Sequence, residues 1–228
     1  MLDEFPITQR WPANNPDIIQ LYSVDTPNGL KVSAMLEETG LPYEKHSLSF
    51  SHADQHSPEF LALNPNNKIP AIIDPHGPDG KPLALWESGA ILLYLAEKSG
   101  RFLPTGRHAR YETIQWLMWQ MGGVGPMFGQ FGFFQKFGGA DWEDKRALTR
   151  YQDETGRLLK VLNQRLSDHR YVMGDNYSIA DISLWPWVRA LSKVYDAKQV
   201  LELESYHHVT QWLNLCMERT GSVAVLTP

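Results

Sequence analysis

Apolar residues follow two different rhythms along this chain, and the change between them falls near residue 105. Before it, short runs rich in β-branched and aromatic residues are closed off by proline, glycine and asparagine, the mark of strands joined by turns. Four such runs are Ile18-Ile19-Gln20-Leu21-Tyr22, Tyr43 to Leu48, Ala71-Ile72-Ile73-Asp74 and Leu83-Ala84-Leu85-Trp86. Between the first two, Leu30 to Glu38 brings Val32, Met35 and Leu36 to one helical face and stops at Thr39-Gly40. A strand-helix-strand order makes the two strands parallel neighbours. After a polar loop, Ser49 to Ser57, the segment Pro58 to Leu63 predicts a short helix. His76-Gly77-Pro78-Asp79-Gly80 turns the third run into the fourth as a hairpin. Ser88 to Lys98, with Ile91, Leu92, Tyr94 and Leu95, closes the unit as a helix.

This β-α-β-α-β-β-α order is that of a thioredoxin-like domain, assigned to residues 18–102, with residues 103–107 as a linker and 108–228 as an all-helical second domain. Residues 1–17 show no period of two or 3.6 and are expected to be an irregular arm. In the helical half, apolar positions between Glu143 and Ser167 recur at three and four residues, which predicts one long amphipathic helix. Ser178-Ile179-Ala180-Asp181 reads as a capping box opening a buried helix through Trp185 and Trp187, with Pro186 a possible kink. Gly122 to Gly129 is expected to interrupt a helix begun by Trp116 and Trp119 and to give a kinked helix, with Phe131, Phe133, Phe134 and Phe137 forming a mobile aromatic lip over a pocket; simple packing is the competing explanation. Trp185, Trp187 and Trp212 are expected in the core.

Composition narrows the function. Apolar residues at 43% and charged residues at 21% of 228 describe an ordinary globular protein, with no apolar run of membrane-spanning length. A net charge of −5 without a basic cluster argues against a nucleic-acid partner. The acidic, proline-bearing start, Met1 to Pro6, lacks a secretory pattern, so a cytoplasmic location is expected. Eight histidines include the pair His52 and His56 at i, i+4, but no Cys, Asp or Glu set accompanies them at zinc spacing, and no metal is expected. The single cysteine, Cys216, excludes an internal disulfide or a Cys-x-x-Cys pair, so thiol chemistry here requires sulfur from elsewhere.

The most informative stretch is Leu63-Asn64-Pro65-Asn66-Asn67-Lys68-Ile69-Pro70-Ala71-Ile72, followed by Glu87-Ser88-Gly89 at the mouth of an apolar helix. Ile69-Pro70 is expected to be cis, leaving the Ile69 backbone free to pair with an extended peptide, while a carboxylate settles on the amides and hydroxyl at Ser88. Thr26 and Asn28 lie between the first strand and first helix, where a hydroxyl, a side-chain amide and a helix N-terminus converge; ordinary turn chemistry is the competing explanation. Ser23 in the same loop is a rival.

Pro65 to Ala71 with Glu87-Ser88-Gly89 resembles the glutathione-binding signature of the glutathione transferase superfamily. With Thr26-Pro27-Asn28-Gly29 and Tyr177 to Asp181, the chain resembles the nu class, the bacterial glutathione-dependent disulfide-bond oxidoreductases related to the yeast prion-forming nitrogen regulator. The resemblance implies a homodimer that reduces disulfides with two glutathiones in one site, and attack on organic hydroperoxides would use the same sulfur. It implies Thr26 and Asn28 as thiolate stabilisers and Glu87 and Ser88 as ligands of the γ-glutamyl end. It further implies backbone pairing at Ile69, flanked by Lys68 and Pro70, and contacts from Gln55 and Arg150. Lowering a thiol pKa of about 8.5 by two units requires roughly 2.7 kcal/mol of preferential thiolate stabilisation. Conjugation of glutathione to electrophiles, its removal from thioethers, and a non-catalytic regulatory role remain alternatives at this point.

Overall fold

A computed structural model describes residues 2–227. Its sheet has four strands, β1 (Ile19–Ser23), β2 (Tyr43–Ser47), β3 (Ala71–Asp74) and β4 (Leu83–Trp86), in the order β2-β1-β3-β4. β1 and β2 are parallel, with Ile19 opposite Tyr43, and β3 runs antiparallel to both β1 and β4. The expected parallel pair and hairpin are therefore both present. α2 (Pro27–Thr39), α3 (Pro58–Leu63) and α4 (Ser88–Ser99) complete the thioredoxin-like order.

Side chains alternate across the pleat and separate two cores. Leu21 and Ile72 face α2, α4 and the helical half, whereas Tyr22, Ala71 and Ile73 face Phe60 and Leu63 of α3. The second core is closed by the N-terminal arm, which contains a short helix, α1 (Ile7–Arg10), with Leu2 and Ile7 buried. Arg10 reaches Asp54 at 2.6 Å and ties the arm to the loop before α3. The arm thus departs from the irregular segment expected: a four-residue helix is too short to show a period, and its anchoring is tertiary. Met1 at its start and Pro228 at the end of the helical domain lie outside the described residues.

Beyond α4 the chain is helical: α5 (Arg107–Trp119), α6 (Gly125–Lys136), α7 (Arg146–Arg165), α8 (Ile179–Lys193), α9 (His207–Met217) and α10 (Thr220–Leu226). The expected interruption at the glycine-rich stretch takes the form of a π turn. It spans Gln120–Val124 and carries α5 directly into α6. The glycines also serve close packing: a Cβ at Gly132 would lie 2.5 Å from the Tyr195 ring, and one at Gly129 would touch Trp187 at 3.4 Å. Phe133 and Phe134 cluster with Trp142 and Tyr151, and Phe131 is buried in the core.

The box at Ser178 and Asp181 opens α8 as expected. The fully buried Asp181 carboxylate does more than cap, because it accepts from Ser178 N–H (3.0 Å), Val172 N–H (2.8 Å) and the Trp212 indole (2.9 Å). One acceptor thereby fixes α8, α9 and the preceding turn, and burial without it would strand three donors. The Asp181→Ala variant is expected to lose about 3 kcal/mol or more of stability, and Asp181→Asn, which keeps one acceptor, distinctly less; urea midpoints of the two variants check this.

Candidate functional site

Two adjoining cavities open where the end of the sheet meets α6 and α8. One, of about 360 Å³, is walled by Ile69, Pro70, Glu87 and Ser88 on the sheet side and by Gln120, Met121, Gly129, Gln130 and Trp187 on the helical side. The other, of about 330 Å³, is lined by Thr26, Gln55, His56 and Asn67. Asn28, Lys68 and Ile69 border both. Eight of the nine residues singled out from the sequence are thus brought to one place. Arg150 is the exception: it lies on the exposed face of α7, 3.8 Å from Glu154, and lines neither cavity.

The local fold explains each placement. Thr26 caps α2, its Oγ1 accepting from Gly29 N–H at 3.3 Å, and Pro27 occupies the first turn, where a missing N–H costs nothing. Asn28 follows in that turn, and its Oδ1 accepts from the Trp187 indole N–H at 3.0 Å. Because an indole nitrogen only donates, this bond fixes which end of the Asn28 amide is oxygen. The acceptor atoms of Thr26 and Asn28 are therefore both engaged by the protein, while the hydroxyl hydrogen and the Nδ2 hydrogens remain to be donated. Ser23, the rival in this loop, is fully buried, hydrogen-bonds Val24 O and borders neither cavity.

Ile69-Pro70 is cis, and the ladders of β3 begin only at Ala71, so the Ile69 backbone takes no part in the sheet. Asn64 shapes this turn, donating through Nδ2 to Lys68 O at 2.5 Å and accepting from Asn66 N–H. Glu87 adopts φ 71°, a left-handed conformation that costs a non-glycine residue about 1–3 kcal/mol. The helix it precedes, α4, receives no side-chain cap, leaving first-turn amides beside Ser88, which is 3% exposed. In the second cavity Gln55 Oε1 is buried without a hydrogen-bond partner, and the His56 ring lies 3.1 Å from Asn67 Nδ2. Cys216, in α9, is wholly buried, and burial drives its thiol pKa well above the ordinary range. Among the described residues no group of three or more His, Cys, Asp and Glu is placed to hold a metal ion.

Sequence reasoning missed Lys31, Gln120, Met121 and Trp187. Trp187, expected in the core with Trp185 and Trp212, is only partly buried and forms the cavity wall over Asn28. Lys31 is entirely buried in α2, its Nζ 2.6 Å from Gln120 Oε1, 3.2 Å from Ser88 Oγ and 3.4 Å from Met121 Sδ. Desolvation lowers its pKa from 10.5 to about 7, against a smaller raising pull from Glu87.

The glutathione S-transferase N-terminal domain matches residues 18–97, and the C-terminal domain of the same family matches residues 122–220. The chain belongs to the glutathione S-transferase family. Among glutathione S-transferase relatives, it is 48% identical to the disulfide-bond oxidoreductase YfcG of Escherichia coli, covering 86% of this chain and 88% of that one. It is 44% identical to YghU, a disulfide-bond oxidoreductase of the same organism, over 88% of this chain and 71% of that one. A solved glutathione transferase from Pseudomonas fluorescens, with two glutathione bound, superposes with a TM-score of 0.96 at 56% identity, covering 97% of this chain and 98% of that one. A Pseudomonas putida relative with one glutathione disulfide per subunit gives 0.97 at 54% identity, covering 99% and 98%.

The Lys31 shift fixes the sign of a stability effect. Its folded pKa lies below the unfolded value, so the unfolded state binds more protons between pH 7 and 10.5, and stability rises with pH through that window. The stability of the native protein relative to Lys31→Met is expected to move in favour of the native protein by on the order of a few kcal/mol between pH 7 and pH 9.5. Urea unfolding of both proteins at the two pH values measures it.

Proposed function

We propose that this protein is a glutathione-dependent disulfide reductase that activates borrowed sulfur. The observation that carries the proposal is the pairing at the cavity junction: Thr26 and Asn28 have their acceptor atoms occupied and their donor hydrogens free, while the chain's one cysteine is buried in α9. Donors without acceptors favour a thiolate over a thiol, because hydrogen bonds to the charged form lower a pKa. The N-terminus of α2 adds to the same effect.

An extended tripeptide fits across both cavities. Its γ-glutamyl carboxylate meets Ser88 and the uncapped first turn of α4, its cysteinyl unit pairs with the Ile69 backbone beside Pro70, and its glycyl end runs towards Gln55 and Lys68. Glu87, exposed at the mouth, answers the α-ammonium group. The remaining space of the first cavity, against Gln130 and Trp187, accommodates a second glutathione. The two relatives with two glutathiones or one glutathione disulfide bound support this arrangement.

The reaction then balances without protein sulfur. A first glutathione thiolate attacks one sulfur of the substrate disulfide, forming a mixed disulfide and releasing one substrate thiolate. A second glutathione thiolate attacks the glutathione sulfur of that intermediate, releasing the other substrate thiolate and oxidised glutathione. Two electrons pass from the two glutathiones to the substrate. Arg150 lines neither cavity of this single chain. A homodimer working in the reducing cytosol belongs to the same proposal, supported by the family resemblance and by an unpaired, buried cysteine.

Thr26→Ala and Asn28→Ala are expected to lower kcat for 2-hydroxyethyl disulfide at least tenfold and to raise the pKa of the bound thiol, read by ultraviolet titration of the complex. Trp187→Phe should act in the same direction as Asn28→Ala, and the double variant should be little worse than Asn28→Ala alone, because one indole bond orients one amide. Turnover of chlorodinitrobenzene in place of any disulfide would reassign the enzyme to conjugation.

A further inference from the structure

Among the described residues lining the cavity, Lys31 is the one buried cation, and nothing in the disulfide chemistry above uses it. Its Nζ is reached from three directions, by Ser88 Oγ of α4 at 3.2 Å and by Gln120 Oε1 and Met121 Sδ of the π turn at 2.6 and 3.4 Å. The charged side chains lining this cavity, among the described residues, are Lys31, Lys68 and Glu87; the π turn and Trp187 present none.

The protonation state of such a nitrogen dictates the direction of its bond to Ser88. An ammonium has three hydrogens and no lone pair, so it donates to Gln120, Met121 and Ser88 Oγ together, and the Ser88 hydroxyl hydrogen, which rests on Met121 Sδ at 3.6 Å, can turn to a stronger acceptor in the cavity. A neutral amine has two hydrogens and one lone pair. With Gln120 and Met121 taking the hydrogens, the Ser88 hydroxyl donates inward to nitrogen and turns oxygen lone pairs towards the cavity. A carboxylate arriving at Ser88 is welcomed by the first arrangement and repelled by the second.

We propose that Lys31 is a positioning residue for the ligand's γ-glutamyl α-carboxylate, acting through Ser88, so that the site takes up one proton from solvent onto Lys31 Nζ as the carboxylate enters. This rests on the glutathione reading of the cavity and deepens it. Burial lowers the Lys31 pKa towards neutrality, with Glu87 pulling the other way, so an arriving carboxylate that favours the charged state draws a proton onto the nitrogen.

The test uses S-methylglutathione, which has no thiol proton to release and so isolates this step. Titration calorimetry of the full chain in two buffers of different ionisation enthalpy is expected to show uptake of roughly half a proton at pH 7, falling towards zero at pH 5.5, where Lys31 is already charged. An analogue lacking the α-carboxylate should bind at least tenfold more weakly and take up no proton. In Lys31→Met the uptake should vanish and the preference for the carboxylate-bearing ligand should shrink, while Kd rises. The pH series on the unmodified protein carries the test if that variant does not fold. S-methylglutathione binding at pH 7 with no buffer-dependent heat, or a Lys31→Met protein that keeps the full carboxylate preference, overturns the role of Lys31 alone. Absence of S-methylglutathione binding overturns the glutathione reading and this role together.

Discussion

A lysine nitrogen removed from water must be given partners, and in this protein the partners come from two structural units. Lys31 hangs from the first turns of α2, Ser88 opens α4 and Gln120 stands on the π turn between α5 and α6. The desolvation cost of the buried amine can be met only when the thioredoxin-like unit and the helical half are docked in one register. Gln120 and Met121 stand at the start of the π turn that carries α5 into α6. The same docking brings Trp187 of α8 over Asn28. The cavity is therefore a property of the interface between the two halves.

That origin explains which parts of the protein were legible in its sequence. Strand order, the hairpin and the capping box are encoded by neighbours within a few residues, and all appear as expected. Asn28, Ile69 and Ser88 were visible because turn and helix-start chemistry marks them locally. Lys31, in Pro27-Asn28-Gly29-Leu30-Lys31, looks like any solvated helix lysine, and its partner Gln120 is 89 residues away. Trp187 was assigned to the core by residue type, yet its indole nitrogen engages a residue 159 positions earlier. The glycines of α6 were read as the source of a kink, and they also form a surface against which Trp187 of α8 packs. No local pattern carries such information. The arm failed for the opposite reason, being helical over too few residues to leave a period.

Arg150 marks a different limit. The resemblance that named it also named eight residues that converge, whereas this one faces solvent beside Glu154. The segments around Ile69 and Ser88 are placed by a backbone that is itself specified, a cis turn and a helix start. A single long side chain on an exposed helix face has no such frame.

The burial of Cys216 has a consequence for durability. An enzyme whose own sulfur is its working part is vulnerable to peroxides, since oxidation beyond the sulfenic stage is for most proteins permanent. Here the only native sulfhydryl is sealed in α9 and held as the unreactive thiol, and the sulfur that lines the cavity is the Met121 thioether. A thiol oxidised in that cavity departs with the molecule that brought it, leaving Met121, whose sulfoxide is enzymatically reversible, as an oxidisable sulfur of the wall itself.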